Sequence, residues 1–352
     1  MTGAEGTPVL AQRKSGARPR LFAAADGFAR HREAWAELHA AQGRPILLDP
    51  RFVAPLVRHF ATPRTRLAVM DGGLALLEPI GIGRWETFQP SQAPLGLLLY
   101  ARPEQAVPQT RALLRGLPGY AVALAVLRQD PPSSYFQELE RWPHVERVDY
   151  IRTARLSLAG DWDGYWRSRS KNLTHNLGRQ RRRLAERGST LQLVAEADPA
   201  RMEACVAEYG RLEQAGWKGL EGSAVAADNA QGAFYAEMLR DFAATGEAVV
   251  YRLELDGRTI AADLCLRRDG TLVVLKTAYD EGVQGLSPGL LLHQEILQRL
   301  YAEGAIRTLE FYGAVRDWHT KLTDDVRVMY HVNLHRNAWV TRARRWIKRV
   351  RA

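Results

Sequence analysis

The chain has 352 residues, of which 46% are hydrophobic and 25% charged, the composition of a globular protein with room for a sizeable core. No apolar run approaches the roughly 20 residues needed to span a bilayer, and residues 1–20 lack the apolar core of a signal peptide. Cys205 and Cys265 stand far apart in regular apolar patterns, so we expect two buried free thiols and no metal site. A cytoplasmic location is the resulting expectation.

The net charge of +10 is unevenly distributed. Segments 1–20, 162–188 and 336–352 carry the excess of Lys and Arg, whereas the rest of the chain is mildly acidic. Such clustering indicates anionic partners at particular places rather than a uniformly basic surface.

The first half predicts a basic, disordered lead-in over residues 1–19 and a lobe over residues 20–149. The signals in this lobe, in chain order, are a helix, a hairpin turning at Asp-Gly-Gly, a loop, a second helix and a strand: Phe28–Ala41, Leu67–Pro79, Arg84–Gly96, Glu104–Leu117 and Tyr120–Leu127.

The second half, residues 150–335, begins with a strand at Ala154–Leu158 and one long amphipathic helix over Trp162–Arg187. Two further helical faces follow, at Met202–Leu212 and Phe234–Phe242. Three β-rich runs, Ala248–Leu255, Thr259–Leu266 and Thr271–Ala278, are then joined by two Asp-Gly turns. This is the pattern of an antiparallel meander. The first half repeats the order faintly, which suggests a structural duplication.

The segment after the meander, Tyr279 to Tyr301, crosses a glycine-rich loop and enters an apolar helix at Ser287-Pro288-Gly289. Ser287 is a favourable N-cap and Pro288 suits the first helical position. The amides of Gly289, Leu290 and Leu291 would then stay free at the positive end of the helix dipole, as in a phosphate site. The segment is neither a P-loop nor a GxGxxG turn, and an ordinary β-to-α connection is the alternative.

Meander, loop, helix and strand in this order resemble the core of the GNAT N-acetyltransferases. The family's pyrophosphate loop, Q/R-x-x-G-x-G/A, is matched at Gln284 and Gly289, with Ser287 in place of the middle glycine. The strings KTAYD…SPGLLL and WDGYWRSRSKNLTHNLGRQRRRL are similar to two-lobed acetyltransferases of bacterial exopolysaccharide (cellulose-type) biosynthesis, relatives of the Fem transferases. The resemblance implies an α+β fold of two GNAT-like lobes, each a mostly antiparallel sheet flanked by helices, with the donor site in the second.

The resemblance also implies functional residues. The acyl-CoA donor is expected at Lys276, Gln284, Gly285, Ser287, Gly289, Leu290 and Leu291. Candidates for acid–base work are Glu310, Tyr312, His319, Lys321 and Asp263; the alternative is that Glu310 and Lys321 form a surface ion pair and that His319 caps a turn. Asp263 could instead pair with Lys276. Substrate contacts are expected from Arg169, Lys171, Asn172 and Asn176, unless these residues only form a solvated helix face.

The predicted activity is N-acylation of an amine, for example on an amino sugar or glycan precursor, with acetyl-CoA or another acyl-CoA as donor. We expect the acceptor between the lobes, near Phe88–Pro94. The alternatives are a Fem-like transferase that uses aminoacyl-tRNA and a non-catalytic adaptor of a polysaccharide synthase. Residues 336–352 predict a basic amphipathic helix that rests on anionic membrane, packs on the protein or contacts tRNA.

Overall fold

The computed structural model describes residues 18–130, 133–215 and 224–340. Most of the predicted lead-in and of the predicted tail helix therefore lies outside the described residues. The chain forms two compact units, one made of the residues up to Ile151 together with those from Val328 onward, and one of Arg152–Arg327. The second lobe was predicted to extend to residue 335, whereas the compact unit ends at Arg327.

The strands, numbered β1 to β13 in chain order, are Arg20–Ala23, Arg66–Met70, Gly73–Gly81, Arg84–Thr87, Leu98–Tyr100, Ala123–Gln129, Val145–Ser157, Leu191–Glu196, Ala248–Leu255, Arg258–Arg268, Thr271–Tyr279, Thr308–Phe311 and Val326–His335. The α-helices, numbered α1 to α11, are Ala24–Arg30, Arg32–Ala41, Pro50–Phe60, Ala106–Gly116, Ser134–Leu139, Trp162–Ser168, Lys171–Glu186, Met202–Gln214, Ala230–Ala243, Pro288–Glu303 and Asp317–Leu322. In the described ranges, no helix is both long and apolar enough to cross a membrane.

The first unit is a sheet in the order β1-β2-β3-β4-β6-β13, with β5 paired to β3. Its predicted hairpin is confirmed, because β2 and β3 pair antiparallel across a turn in which Gly72 has φ +85°. Two predictions were wrong in detail. The helix expected over Phe28–Ala41 is divided at His31, and the loop expected over Arg84–Gly96 begins with strand β4.

The second unit is a sheet in the order β7-β12-β11-β10-β9-β8. The predicted meander is confirmed as β9, β10 and β11. Asp256-Gly257 and Asp269-Gly270 have φ values of +52°, +79°, +49° and +79°. Positive φ at both central residues is what a two-residue hairpin requires, and Asp-Gly is among the pairs that tolerate it. The helix predicted next is α10, and its C-cap Gly304 is left-handed at φ +66°.

The long helix predicted over Trp162–Arg187 was wrong, because the structure has two helices there, α6 and α7. Arg169 and Ser170 are extended between them, with ψ of 160° and 139°. The Ser170 hydroxyl accepts the N–H of Leu173 at 3.3 Å and so starts the second helix as its N-cap. The spacing of apolar residues continues across the break between α6 and α7, so it did not reveal two helices. The N-cap at Ser170 is the sequence signal that marks the start of α7.

The two units repeat one connection pattern. In each, an antiparallel meander leads through a helix to a strand that pairs parallel with the last meander strand. In the first unit the chain passes from β4 through the short strand β5 and α4 to the parallel strand β6, and in the second unit α10 connects β11 to the parallel strand β12. β6 then pairs antiparallel with β13, and β12 with the Ala154–Ser157 part of β7. The duplication suggested by the sequence is present at the level of topology.

Candidate functional site

The candidate site lies in the second unit, where β11 runs on beyond its parallel neighbour. β11 pairs with β12 only from Thr271 to Val274, although it remains paired with β10 as far as Tyr279. The edge of Leu275–Tyr279 that faces away from β10 therefore has no partner strand within the described part of the chain. Unpaired strand edges present backbone N–H and C=O groups to a ligand.

The loop that follows β11 differs from the prediction at its N-cap. The Ser287 side chain makes no capping hydrogen bond, and Ser287 is instead left-handed, with φ 53° and ψ 53°. Pro288 occupies the first helical position as predicted. The amides of Leu290 and Leu291 are not free, because both donate to the Ser287 carbonyl, at 3.0 and 3.1 Å. We call the N-terminus of α10 the helix mouth. Of the three amides expected there, that of Gly289 lacks an acceptor among the described residues.

The left-handed turn explains the departure from the family's loop pattern. A left-handed residue is most easily a glycine, and Ser287 occupies the position where that pattern has its middle glycine. Pro288 adds to this preference, because a residue before proline is disfavoured in the right-handed helical region. Gly289 has little around it, since a Cβ there would meet only the Tyr279 ring, at 3.6 Å.

Side chains from elsewhere in the unit fix the loop. Gln180, buried on α7, donates its side-chain amide to the Gly285 carbonyl at 2.7 Å. At the other end of the loop, the Asp280 carboxylate accepts the N–H of Gly282 at 2.8 Å and pairs with Arg258. The helix mouth is therefore held in place from both sides.

A cleft opens between the β11 edge and the start of α10. Its lining is mostly apolar with a few polar groups, the usual character of a small-molecule site: Thr277, Tyr279, Gln284, Ser287, Pro288, Gly289, Leu290, His293 and Trp318. The structure thus brings together four of the predicted donor residues, Gln284, Ser287, Gly289 and Leu290. Gly285 lies in the adjoining loop, and Leu291 is wholly buried in the core.

Lys276, also predicted at the donor site, lies on the opposite face of the sheet. Strand side chains alternate, and the neighbouring Thr277 faces the cleft. The Lys276 ammonium is 3.3 Å from the Glu213 carboxylate of α8, which also accepts the Tyr209 hydroxyl at 2.8 Å. Lys276 therefore pairs with Glu213 and not with Asp263.

Asp263, a predicted catalytic residue, forms a buried pair with His293 of α10. Its Oδ2 is 3.1 Å from His293 Nε2, and neither side chain is more than 1% exposed. The other ring nitrogen, Nδ1, donates to the Gly289 carbonyl at 2.6 Å. Burial lowers the pKa of His293, but the Asp263 carboxylate more than compensates, so the pKa is raised above its ordinary value. With Nδ1 on the Gly289 carbonyl and Nε2 facing the Asp263 carboxylate, His293 links the first turn of α10 to β10.

His319, a predicted base, has one ring nitrogen occupied by a backbone hydrogen bond. Its Nδ1 accepts the N–H of Arg316 at 2.9 Å, which leaves the proton of the neutral ring on Nε2. Burial, followed by the charge of His293, lowers the pKa of His319 to about 4. The Trp318 ring stacks between the two histidines, 4.6 Å from His293 and 3.6 Å from His319 between centroids.

Glu310 on β12 and Tyr312, the residue after this strand, both contact Arg327 and so lie on one side, which is not the side of the cleft. Phe311, between them, contacts the rings of His293 and Trp318. Glu310 pairs with Arg327 at 2.8 Å, which also excludes the surface ion pair with Lys321 considered from the sequence. Arg327 lies over the Tyr312 ring at 5.5 Å, and Lys321 is exposed on α11. In the described structure, Glu310, Tyr312 and Lys321 do not form a common catalytic cluster with His319.

The four predicted substrate contacts lie at the start of α7 and just before it. Arg169 donates to the Leu322 carbonyl at 2.9 Å and lies over the Tyr165 ring. Its guanidinium therefore stabilises the packing of this unit. Lys171 is exposed, and Asn172 accepts the side-chain amide of Asn176 at 2.9 Å on the outer face of the helix. None of the four lines the cleft.

Residues 171–320 match a family model described as Acetyltransferase (GNAT) domain. The second unit carries a GNAT acyltransferase domain. A comparison with curated proteins gives no match. The C-terminal domain of a putative lysylphosphatidylglycerol synthetase from Agrobacterium fabrum is similar in fold, with 13% identity, a TM-score of 0.53 and coverage of 88% of this chain and 94% of that one. L-PGS from Bacillus licheniformis has 13% identity, a TM-score of 0.54 and coverage of 88% and 96%.

These likenesses extend over both units, and at this identity they concern the fold alone. The fold class predicted from the sequence is confirmed, because each unit is a mostly antiparallel sheet flanked by helices and the two units repeat one connection pattern. No group of His, Cys, Asp and Glu in the described ranges is arranged to hold a metal ion.

Sequence reasoning missed several residues of the GNAT cleft. His293 follows Gly289 by four positions on α10, so the helical period could have placed it under the loop. Trp318 directly precedes the predicted His319 in the sequence but was not singled out. Thr277 and Tyr279 follow from the alternation along β11, once the cleft face is known. Gln180 had no local signal, because its partner is 105 positions away.

Proposed function

We propose that the second lobe transfers an acyl group from acyl-CoA, with acetyl-CoA the first candidate, to a primary amine. The observation that carries this proposal is the free edge of Leu275–Tyr279 beside the helix mouth at Gly289. The GNAT loop binds the pyrophosphate of coenzyme A at such a mouth and places the thioester against an opened strand edge. Here the Gly289 amide and the dipole of α10 are positioned for the anionic end of the donor.

The reaction needs little from side chains. The neutral amine attacks the thioester carbonyl, the tetrahedral oxyanion takes a hydrogen bond from a β11 amide, and the C–S bond breaks. The thiolate leaves with a proton, and the amine loses one as the amide forms. Thr277 and Tyr279 line the cleft and carry the hydroxyls that we assign as proton donors, whereas His293 Nδ1 donates to the Gly289 carbonyl and Nε2 faces Asp263.

Calorimetric titration with acetyl-CoA tests the donor site. Gly289→Val places a branched side chain at the helix mouth, so we expect the affinity for acetyl-CoA to fall at least tenfold, about 1.4 kcal/mol. Gly178→Val is the matched control, because Gly178 is also a helical glycine with open space around it. Equal affinity of Gly289→Val and Gly178→Val for acetyl-CoA would place the donor elsewhere.

A second candidate takes the acyl group from aminoacyl-tRNA, and one observation favours it. Four basic residues on the outer face of α7, a suitable contact for an RNA backbone, are exposed: Lys171, Arg179, Arg182 and Arg183. Titration of the same protein with a charged tRNA and with acetyl-CoA separates the two donors. Binding of charged tRNA that Arg182→Glu/Arg183→Glu abolishes, without binding of acetyl-CoA, would select the second candidate.

The acceptor is proposed at the level of its chemistry. The lysylphosphatidylglycerol synthetases of similar fold and the exopolysaccharide acetyltransferases that the sequence resembles would suggest different acceptors. An amine on an amino sugar or glycan precursor remains our first choice, and the protein would then act in the cytoplasm or at the inner face of the membrane. Acetylation assays with glucosamine and with amine-bearing oligosaccharides measure this directly.

A further inference from the structure

A separate cavity in the first unit is lined by basic and aromatic side chains. It lies beside the C-terminal half of α4, and we call it the arginine pocket: Arg111, Arg115, Trp142, His144 and Arg336, with Leu114 and Pro143. No acidic side chain takes part in this lining. The Arg111 guanidinium lies over the Trp142 ring at 5.3 Å, and the indole N–H of Trp142 is held by the His335 carbonyl at 2.9 Å.

Among the described residues, no carboxylate pairs with an arginine of the arginine pocket. Arg111 and Arg115 are one turn apart on α4, both are exposed, and neither forms an ion pair with a described residue. Arg336 donates to the Ala121 carbonyl at 3.2 Å and stacks on the Tyr120 ring at 4.2 Å. Like charges converging on one cavity disfavour each other unless an anion joins them, and the guanidinium fork matches phosphate oxygens best.

Exposed apolar side chains stand beside the arginine pocket. Tyr120 is 64% exposed and Ile82, at the tip of the β3–β4 hairpin, is fully exposed. The two are contiguous with Arg336, because the Val122 N–H donates to the Gly83 carbonyl at 2.7 Å and the Val122 carbonyl accepts the Arg336 N–H at 2.9 Å. Trp339, three residues further on, is 61% exposed.

This combination favours one partner. An uncovered isoleucine, a tyrosine and a tryptophan clustered beside a cationic cavity are typical of an interaction site. At a membrane boundary, aromatic rings sit at headgroup depth, an aliphatic side chain enters the acyl region, and arginines meet phosphates. An RNA strand would use the arginines equally well but would leave Ile82 in water.

We propose that the arginine pocket binds the phosphate of an anionic phospholipid and that Ile82, Tyr120 and Trp339 enter the headgroup boundary around it. The first lobe thereby docks the protein on anionic membrane. This site lies within the first unit and is independent of the donor cleft in the second, so its failure would leave the proposed acyl transfer untouched.

Vesicle sedimentation of the full-length chain tests the proposal, with phosphatidylcholine vesicles alone or with 30% phosphatidylglycerol. We expect binding to the anionic vesicles only. Each basic residue near such a surface contributes a factor of about five, so Arg111→Gln/Arg115→Gln should weaken partitioning by roughly 25-fold. The matched control is Arg30→Gln/Arg32→Gln, which removes two exposed arginines on α1 and α2 and should retain nearly all of the binding.

The apolar rim gives an independent test that leaves charge unchanged. Ile82→Ser at a fully exposed position leaves the fold intact and should weaken partitioning several-fold. The proposal is overturned if both Arg111→Gln/Arg115→Gln and Ile82→Ser bind like the parent, or if the control double variant loses as much as the pocket variant. Binding of inorganic phosphate or of RNA that requires Arg111 and Arg115, with no vesicle binding, would overturn the lipid assignment.

Discussion

Ser287 decides the shape of the donor loop through its backbone, and its hydroxyl contributes little. The left-handed conformation destabilises a non-glycine residue by on the order of 1–2 kcal/mol. The Ser287 side chain makes no capping hydrogen bond that would offset this. We predict that Ser287→Ala changes the free energy of unfolding by less than about 0.5 kcal/mol and that Ser287→Gly raises it by about 1 kcal/mol. Urea denaturation of the three proteins measures both effects. A loss of about 1 kcal/mol in the alanine variant alone would restore the N-cap role expected from the sequence.

The two histidines beside Trp318 give stability opposite dependences on pH. His319 has a pKa of about 4 in the folded chain, below its ordinary 6.5, so the unfolded chain binds more protons between these values. Its contribution is present above pH 6.5 and is lost as the pH falls toward 4, by on the order of 3 kcal/mol at most. His293 runs the other way: its raised pKa makes its contribution complete below pH 6.5 and lost as the pH rises through the folded pKa.

Substitution of His319 separates its pH-dependent contribution to stability from that of His293. Asparagine keeps an acceptor for the Arg316 N–H, so His319→Asn should shift stability by a constant amount and flatten its dependence on pH between 4.5 and 6.5. Denaturation curves of parent and variant across this range measure the slope. An unchanged slope would mean that His319 is not the group that titrates.

Strand β11 separates two sets of charged groups by its alternation. Lys276 and Glu213 lie on the α8 side, whereas Asp263 and His293 lie on the α10 side with the cleft. Lys276→Met removes the Lys276 charge from beside the buried Glu213 carboxylate, so we expect a loss of about 3 kcal/mol of stability. The affinity for acetyl-CoA should stay within twofold, as it should in the exposed control Lys321→Met.

The double variant Lys276→Met/Glu213→Gln completes this test. Glu213→Gln removes the carboxylate charge but keeps acceptor and donor groups for Tyr209, so much of the lost stability should return. If the double variant is stable and still binds acetyl-CoA tenfold more weakly, Lys276 belongs to the donor site after all.

Elements with complete local signals were predictable from the sequence. Two Asp-Gly turns fixed the meander, and Pro288 with Gly304 fixed both ends of α10. The sequence could not show which face of β12 meets the cleft, because alternation groups Glu310 with Tyr312 but needs the partner strands to orient them. It also could not show that a serine replaces the loop glycine without changing the turn, since that depends on the backbone of Ser287.

The two described units share one connection pattern, and the donor loop proposed for the second unit has no counterpart at α4 of the first. In the second lobe the crossover enters α10 through glycines and Ser287. The corresponding helix of the first lobe, α4, is entered through Arg102-Pro103-Glu104-Gln105, which has no glycine. Glu104 places a carboxylate before the helix mouth, where it would repel a phosphate. The repeat therefore leaves the first lobe free for another use, such as the lipid contact proposed for the arginine pocket.

This asymmetry predicts where a donor changes the mobility of the chain. A ligand at the β11 edge completes its backbone hydrogen bonds, and ligand binding stabilises the lobe that holds it by about 2.7 kcal/mol at 100 times the Kd. We expect acetyl-CoA to slow amide hydrogen exchange in peptides covering Leu275–His293, with the Gly289 amide most affected. Peptides from α4 should exchange at the parent rate, because their helix mouth lacks the loop. Mass spectrometry of the full-length chain with and without acetyl-CoA resolves both regions, and Gly289→Val serves as the control in which protection should vanish. Slowing confined to α4 would instead assign the donor to the first lobe and reverse the roles of the two copies.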